Sequence, residues 1–95
     1  MASYLIGQIN VRNLELWQEY VAGVQESLAP FSAKVVFRGK RVSVLAGAHD
    51  FDLVVVLEFS ARETLERWFY SSQYQALIPL RDRAADVVIT TYDAD

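Results

Sequence analysis

The stretch LVVVLEF, residues 53–59, decides the fold. Its five consecutive apolar residues predict a β-strand that is hydrophobic on both faces. A sheet with one face in water would alternate apolar and polar residues instead. Residues 87–89, VVI, repeat this pattern near the end of the chain. Both faces of the predicted sheet therefore need to be covered.

Further strands and helices are predicted on either side of this stretch. The apolar patterns predict strands at Tyr4–Val11, Lys34–Arg38, Arg41–Ala46, Leu53–Phe59 and Asp86–Tyr92. Because Gly39-Lys40 separates the second and third of these, the two form either a hairpin or one long strand with a bulge. We favour the bulged strand.

Two longer helical segments are predicted between the strands. Asn13 can cap the first helix, whose apolar residues recur at spacings of three and four: Leu14, Trp17, Val21, Val24 and Leu28. Capping boxes at residues 60–63 (SARE) and 72–75 (SQYQ) predict that helices begin at Ser60 and Ser72. Pro79 lacks an N–H group and is expected to divide the last helical stretch.

The resulting order, βαββαβ, is that of the ferredoxin-like α+β fold, with a four-stranded antiparallel sheet and helices on one face. Residues 1–95 suffice for a single domain of this kind. Three or four apolar side chains on the other face would each forgo about 1.5–3 kcal/mol if they stayed in water. A second copy of the same chain is the expected cover, because most soluble oligomers are twofold homodimers.

Composition excludes several classes of protein. The net charge of −3 argues against a nucleic-acid partner or an anionic membrane surface. With no cysteine, the chain can form no disulfide, thiol nucleophile or cysteine metal site. The carboxylates and the single histidine show no metal-ligand spacing, so we expect neither metal nor cofactor. Because residues 1–4 (MASY) do not resemble a signal peptide, we expect a cytoplasmic protein.

Residues 68–75, WFYSSQYQ, followed by Arg81, resemble the Trp-x-x-Ser-x-x-Tyr-Gln…Arg signature of the domain-of-unknown-function thirteen-thirty family, within the dimeric α/β-barrel superfamily. Tyr4, Tyr20, Arg38-Gly39 and residues 55–59 are also similar to that family. The resemblance implies a ferredoxin-like protomer whose sheet faces that of a partner in a homodimer. It implies no reaction, since the family has no established general activity.

Two residues are candidates for catalysis. His49 could act as a general base oriented by Asp50 or Asp52, or it could be an ordinary exposed loop residue. Glu58 interrupts an apolar strand, where an unpaired carboxylate would be costly to bury. It could lie at the sheet edge, pair with an arginine (Arg38, Arg41 or Arg81), or face a cavity as an acid or base. We favour the ion pair.

A second group of candidates surrounds the predicted helices. Trp68, Tyr74 and Arg81 could border a small apolar pocket, where Arg81 would bind a carboxylate, and Arg38 is a further candidate ligand-binding residue. Alternatively, Trp17, Trp68 and Phe69 fill the core, and Arg81 pairs with Asp82 or Asp86 on the surface.

These features favour a homodimer that binds a small apolar or carboxylate ligand in a cleft between sheet and helices. The alternative is a cofactor-independent enzyme that resembles oxygenases and isomerases acting on aromatic or lactone substrates. This alternative depends on analogy of fold. It requires at least two of His49, Glu58, Tyr74 and Arg81 to point into one cavity.

Overall fold

The computed structural model describes residues 1–95 and contains four strands and four helices. The strands are β1 (Ser3–Val11), β2 (Lys34–Lys40), β3 (Leu53–Phe59) and β4 (Ala85–Asp93), and the helices are α1 (Leu14–Leu28), α2 (Arg62–Phe69), α3 (Ser72–Gln75) and α4 (Ile78–Ala84). A single 3₁₀ turn, Ala29–Phe31, follows α1. The strand order is β2-β3-β1-β4, and all neighbouring pairs are antiparallel. The predicted ferredoxin-like fold is confirmed.

Alternate residues of β1 point toward the helices and are buried. Leu5 and Leu57 lie opposite each other in register and contribute to the main core together with Leu65 and Trp68 of α2. Ile9 forms a smaller core with Ala84 and Ala85, where α4 passes into β4. Burial of these apolar side chains holds the helices on one face of the sheet.

The two halves of the helical layer meet the sheet differently. Helix α2 packs directly on β1 and β3, whereas α1 packs mainly against α4 and α3. Since α1 is held by other helices rather than by the strands, it stands off from the sheet. The gap beneath it is the cleft described below.

The sheet face away from the helices, here called the outer face, has an apolar centre that no helix of the single chain covers. Ile6 of β1 pairs in register with Val56 of β3, which in turn pairs with Phe37 of β2. Phe37 is 56% exposed, and Val88 and Tyr92 of β4 are about as exposed. All four helices lie on the opposite side, and only the loop between β2 and β3 borders the outer face, at the end where Gln8 lies.

The strand predicted at Arg41–Ala46 is wrong. Residues 41–52 form a loop, and β2 ends at Lys40, whose partner Leu53 is the first residue of β3. One further backbone hydrogen bond, from the N–H of Arg41 to the carbonyl of Asp52, follows this pair, and residues 42–46 have no neighbouring strand to which they could hydrogen-bond. Val42 and Leu45 are consequently almost fully exposed.

The bulge predicted at Gly39-Lys40 is wrong, and so is the long bulged strand that we favoured, because β2 ends at Lys40 and its one irregularity lies elsewhere. The register shifts between Val35 and Phe37, whereas Gly39 pairs regularly with Val54. Gly39 lies beneath the ring of Phe37, and a Cβ atom at residue 39 would lie 2.7 Å from that ring and force it to move. A glycine in a strand marks either a bulge or a close approach, and here it marks the second.

Both predicted capping boxes are wrong by one residue in opposite directions. Helix α2 is preceded by Ala61, because the backbone stays extended from β3 through this residue. Alanine has no polar side chain, so no side-chain hydrogen bond caps this helix. Helix α3 is capped by Ser71, whose Oγ accepts from the backbone N–H of Tyr74. Pro79 divides the helical stretch as predicted, and it lies in the first turn of α4, where its missing N–H costs nothing.

The apolar stripe predicted for α1 needs one correction. Leu14 is 61% exposed, because it lies in the first turn, beyond the edge of the packed layer. The cap at Asn13 is confirmed, since its side chain accepts from the backbone N–H of Leu16. Tyr20, rather than Leu14, completes the buried side of this helix.

Candidate functional site

A cleft of about 410 Å³ lies between α1 and the sheet. Its floor is formed by helix-facing residues of β1, β3 and β4, and its walls by Trp17, Val21 and Val24 of α1. Gly7 is part of this floor and adds no side chain to the cleft. A Cβ atom at this position would lie 3.0 Å from the side chain of Val55. This volume falls in the range of small-molecule sites, and most of the lining is hydrophobic.

A chain of hydrogen bonds connects this cleft to the surface. The hydroxyl groups of Tyr20 and Tyr74, which both line the cleft, are 2.8 Å apart. Arg81 Nη1 donates to the Tyr74 hydroxyl at 3.1 Å, and Arg81 Nε pairs with Asp82 at 3.2 Å. Arg81 therefore supports Tyr74 from behind and does not line the cleft itself.

Burial and hydrogen bonding shift the pKa values of two groups in this hydrogen-bonded series, Tyr20 and Arg81. Burial raises the pKa of Tyr20 above its usual range, so its hydroxyl group stays protonated near neutral pH. Burial alone would lower the pKa of Arg81, but the hydrogen bond to Tyr74 and the pair with Asp82 outweigh it, and the pKa is raised. The cleft is therefore lined by the neutral phenol of Tyr20, and the permanent cation of Arg81 lies behind Tyr74.

Trp68 closes the inner end of the cleft and is fixed by a polar anchor. It is 2% exposed, and its ring lies 4.5 Å from that of Tyr74. Its indole N–H donates to Ser27 Oγ at 2.9 Å, and Ser27 Oγ donates to the carbonyl of Val24. Trp68 thus belongs both to the core and to the lining, whereas Trp17 and Phe69 are only partly buried.

Arg38 lies at the rim of the cleft on the edge strand β2. The ion pairs of the structure include five basic residues, but Arg38 is not among them. The cleft therefore has an apolar interior, a phenol pair at its buried end and an exposed guanidinium at its mouth.

His49 lies outside the cleft. It belongs to the loop 41–52 and lines a second depression, of about 440 Å³, on the outer face. Its ring lies 6.1 Å from that of Phe51, and it donates no hydrogen bond to Asp50 or Asp52. Asp52 pairs with Arg41 instead, which removes the partner expected to orient a general base.

Glu58 also faces away from the cleft, and none of the predicted arginines contacts it. On the outer face it accepts a hydrogen bond of 2.6 Å from the Tyr4 hydroxyl and pairs with Lys34 at 3.6 Å. The register accounts for this, since Glu58 lies opposite Tyr4 on one side and Lys34 on the other. The hydrogen bond to Glu58 raises the pKa of Tyr4.

Asn10 has a structural role at the end of the outer face. Its amide donates to the carbonyl of Asp50 at 2.7 Å and accepts from the N–H of Asp52 at 2.9 Å, which ties the loop 41–52 to β1. Neither Gln8 nor Asn10 lines the cleft, and Gln8 lines the second depression.

Asn10→Ala is expected to make this loop more accessible to trypsin at Arg41. Two lost hydrogen bonds of about 0.5–1.5 kcal/mol each raise the population of the open loop about tenfold. The rate of limited proteolysis under native conditions measures the population of the open loop. Gln8→Ala, on the same face of β1, is the matched control, and equal rates for the two variants would contradict the anchoring role.

Sequence reasoning missed Tyr20 as a site residue. Its spacing from Trp17 and Val24 makes it look like part of the apolar stripe of α1. The contact that gives it a polar role is with Tyr74, which is 54 positions away in the chain. Only the family resemblance pointed to this residue.

The fold and the cleft define a ferredoxin-like α+β domain with an apolar cavity beneath its first helix. The chain belongs to the family DUF1330, a domain of unknown function, whose model matches residues 2–93. The resemblance noted from residues 68–75 and Arg81 is thereby confirmed. No curated protein matches the sequence.

Solved structures with the same fold are distant in sequence. A protein of unknown function from Rhodopseudomonas palustris is 15% identical, with a TM-score of 0.84 over 99% of this chain and 82% of that one. A dimeric ferredoxin-like protein of unknown function from Jannaschia is 9% identical, with a TM-score of 0.73 over 99% and 100%. A cofactor-independent oxygenase from Streptomyces nogalater is 8% identical, with a TM-score of 0.71 over 99% and 93%.

Two further observations concern metals and membranes. The structure brings together no group of three histidine or acidic side chains that could hold a metal ion. None of its helices has both the length and the apolar character needed to span a bilayer.

Proposed function

We propose that this protein is a homodimer that binds a small, mainly apolar molecule in the cleft of each protomer. The dimer is supported by the bare outer face, where Ile6, Val56 and Phe37 form a continuous apolar surface across three strands. Similar folds described as dimeric, such as the protein from Jannaschia, point the same way. A second copy would bury these side chains on both protomers at once.

Ligand binding is supported by a single observation, the cleft of about 410 Å³ beneath α1. A core that serves stability alone is packed with few voids larger than a water molecule. Here the missing side chain of Gly7 and the gap between α1 and the sheet leave a space that apolar side chains surround. An apolar ligand is the natural occupant, and unpaired Arg38 at the mouth suits a carboxylate on that ligand.

Binding is favoured over catalysis because the groups that could move protons are scattered. The enzyme hypothesis requires at least two of four residues in one cavity, and only Tyr74 of the four lines the cleft. His49 and Glu58 lie on the outer face, and Arg81 is reached only through Tyr74. A cofactor-independent oxygenase shares the fold, but at 8% identity this likeness concerns the fold alone.

Ligand-induced thermal stabilisation tests the proposal. An aromatic acid, a lactone and an aromatic ketone, represented by naphthoate, coumarin and flavone, are added separately to the purified protein. A compound that binds only the folded state, at a concentration of about one hundred times its Kd, stabilises it by about 2.7 kcal/mol and raises Tm by about 10 °C or more.

Val24→Trp, which fills the cleft from the wall of α1, is expected to abolish this rise in Tm. Ala22→Trp adds the same side chain to the exposed side of α1 and is expected to leave it intact. A rise that persists in Val24→Trp would place the ligand elsewhere, and no rise with any compound would contradict the binding function.

A further inference from the structure

One of the two hydroxyl hydrogens at the buried end of the cleft has no acceptor within the protein. Each hydroxyl group carries one hydrogen, and the 2.8 Å contact between them uses only one of the two. Arg81 contributes another donor to Tyr74, since a guanidinium cannot accept. No further hydrogen bond of either hydroxyl group exists in the structure, so one O–H hydrogen lacks a partner within the protein.

Polarisation by the Arg81 cation favours one assignment of this hydrogen. A hydroxyl group that already accepts a hydrogen bond becomes a stronger donor, so the favoured order is Arg81 to Tyr74 to Tyr20. The unused hydrogen then belongs to Tyr20, which is 7% exposed and lines the cleft. Because this hydrogen has no acceptor within the protein, a ligand oxygen placed beside it would gain a hydrogen bond without breaking another.

We infer that Tyr20 is the specificity-determining residue of the cleft and that it donates a hydrogen bond to a carbonyl oxygen of an apolar ligand. The inference rests on the proposed binding function and names the ligand class. The donor is a neutral phenol within an apolar lining, and the charge of Arg81 is held behind Tyr74 and balanced by Asp82. A neutral carbonyl compound fits this end better than a carboxylate, which would have to shed its hydration there.

Binding of two matched probes tests this hydrogen bond. Flavone is planar and apolar with one ring carbonyl, and phenylnaphthalene has a similar three-ring skeleton with no acceptor. For the wild type we expect both to bind, with flavone the tighter. Tyr20→Phe removes only the hydroxyl group, and we expect its affinity for flavone to fall about tenfold, which corresponds to about 1.4 kcal/mol, with no change for phenylnaphthalene.

The carbonyl stretching frequency of bound flavone reports the same contact independently of affinity. It is expected to shift down in the wild type and to return toward its value in apolar solvent in Tyr20→Phe. Arg81 is a positioning residue, so Arg81→Met, which leaves the cleft lining unchanged, is expected to give an intermediate frequency. The Tm of each free variant shows whether it is folded.

The outcomes separate this inference from the proposed function. Equal losses of affinity for the two probes in Tyr20→Phe, or an unchanged carbonyl frequency, would show that Tyr20 only shapes the cleft, and the inference would fail while binding stood. If the wild type binds neither probe, the proposed function fails and the inference with it.

Discussion

Val56→Asp is expected to convert the proposed homodimer into a monomer, with a dissociation constant raised at least a hundredfold. Val56 lies at the centre of the outer face, in register with Ile6 on one side and Phe37 on the other. Each protomer would bring an unpaired carboxylate into an apolar contact, at a cost of several kcal/mol per ion, and about 2.7 kcal/mol already gives a hundredfold. Sedimentation velocity over a series of protein concentrations measures the effect.

Leu14→Asp is the matched control for this charge. Leu14 is exposed in the first turn of α1, on the helical side of the sheet, where a carboxylate is favoured by the helix dipole. This variant is expected to remain dimeric, and circular dichroism shows whether both variants are folded. A wild-type protein that sediments as a monomer at micromolar concentration, or a folded Val56→Asp variant that stays dimeric, would exclude the outer face as the interface.

The elements of the fold could be predicted because their signals are local. The apolar run 53–59 and the helical spacing from Trp17 to Leu28 each lie within one element, and both predictions are confirmed. The false strand at residues 41–46 has a suitable local pattern as well. The prediction fails because a strand needs a neighbour to pair with, and β3 begins only at Leu53, opposite Lys40. The segment 41–46 therefore has no partner strand.

The candidate site was less predictable, since its geometry depends on the packing of whole elements. Trp68 and Tyr74 were expected at a pocket and do line the cleft. Arg81 does not line the cleft, because Tyr74 lies between its guanidinium and the cleft. Glu58 was expected to pair with an arginine, but the register brings Lys34 beside it instead.

Trp68→Ala is expected to lower the free energy of unfolding by about 3–5 kcal/mol, a large share of the about 5–15 kcal/mol typical of a small domain. Trp68 contacts Phe59 and Tyr74 and is 2% exposed, so truncation leaves a cavity that joins the cleft. Urea denaturation at one fixed protein concentration measures the loss, because the stability of a dimer depends on concentration. A loss below about 1 kcal/mol would contradict the core role.

The polar part of this effect can be separated from the packing part through Ser27. Ser27→Ala leaves the buried indole N–H without an acceptor, which is expected to cost about 1–3 kcal/mol. Trp68→Phe creates no such group, because Ser27 Oγ still donates to the carbonyl of Val24. In the Trp68→Phe background, Ser27→Ala should therefore cost much less than it does in the wild type. Equal costs in the two backgrounds would mean that the anchor contributes nothing and that Trp68 is held by packing alone.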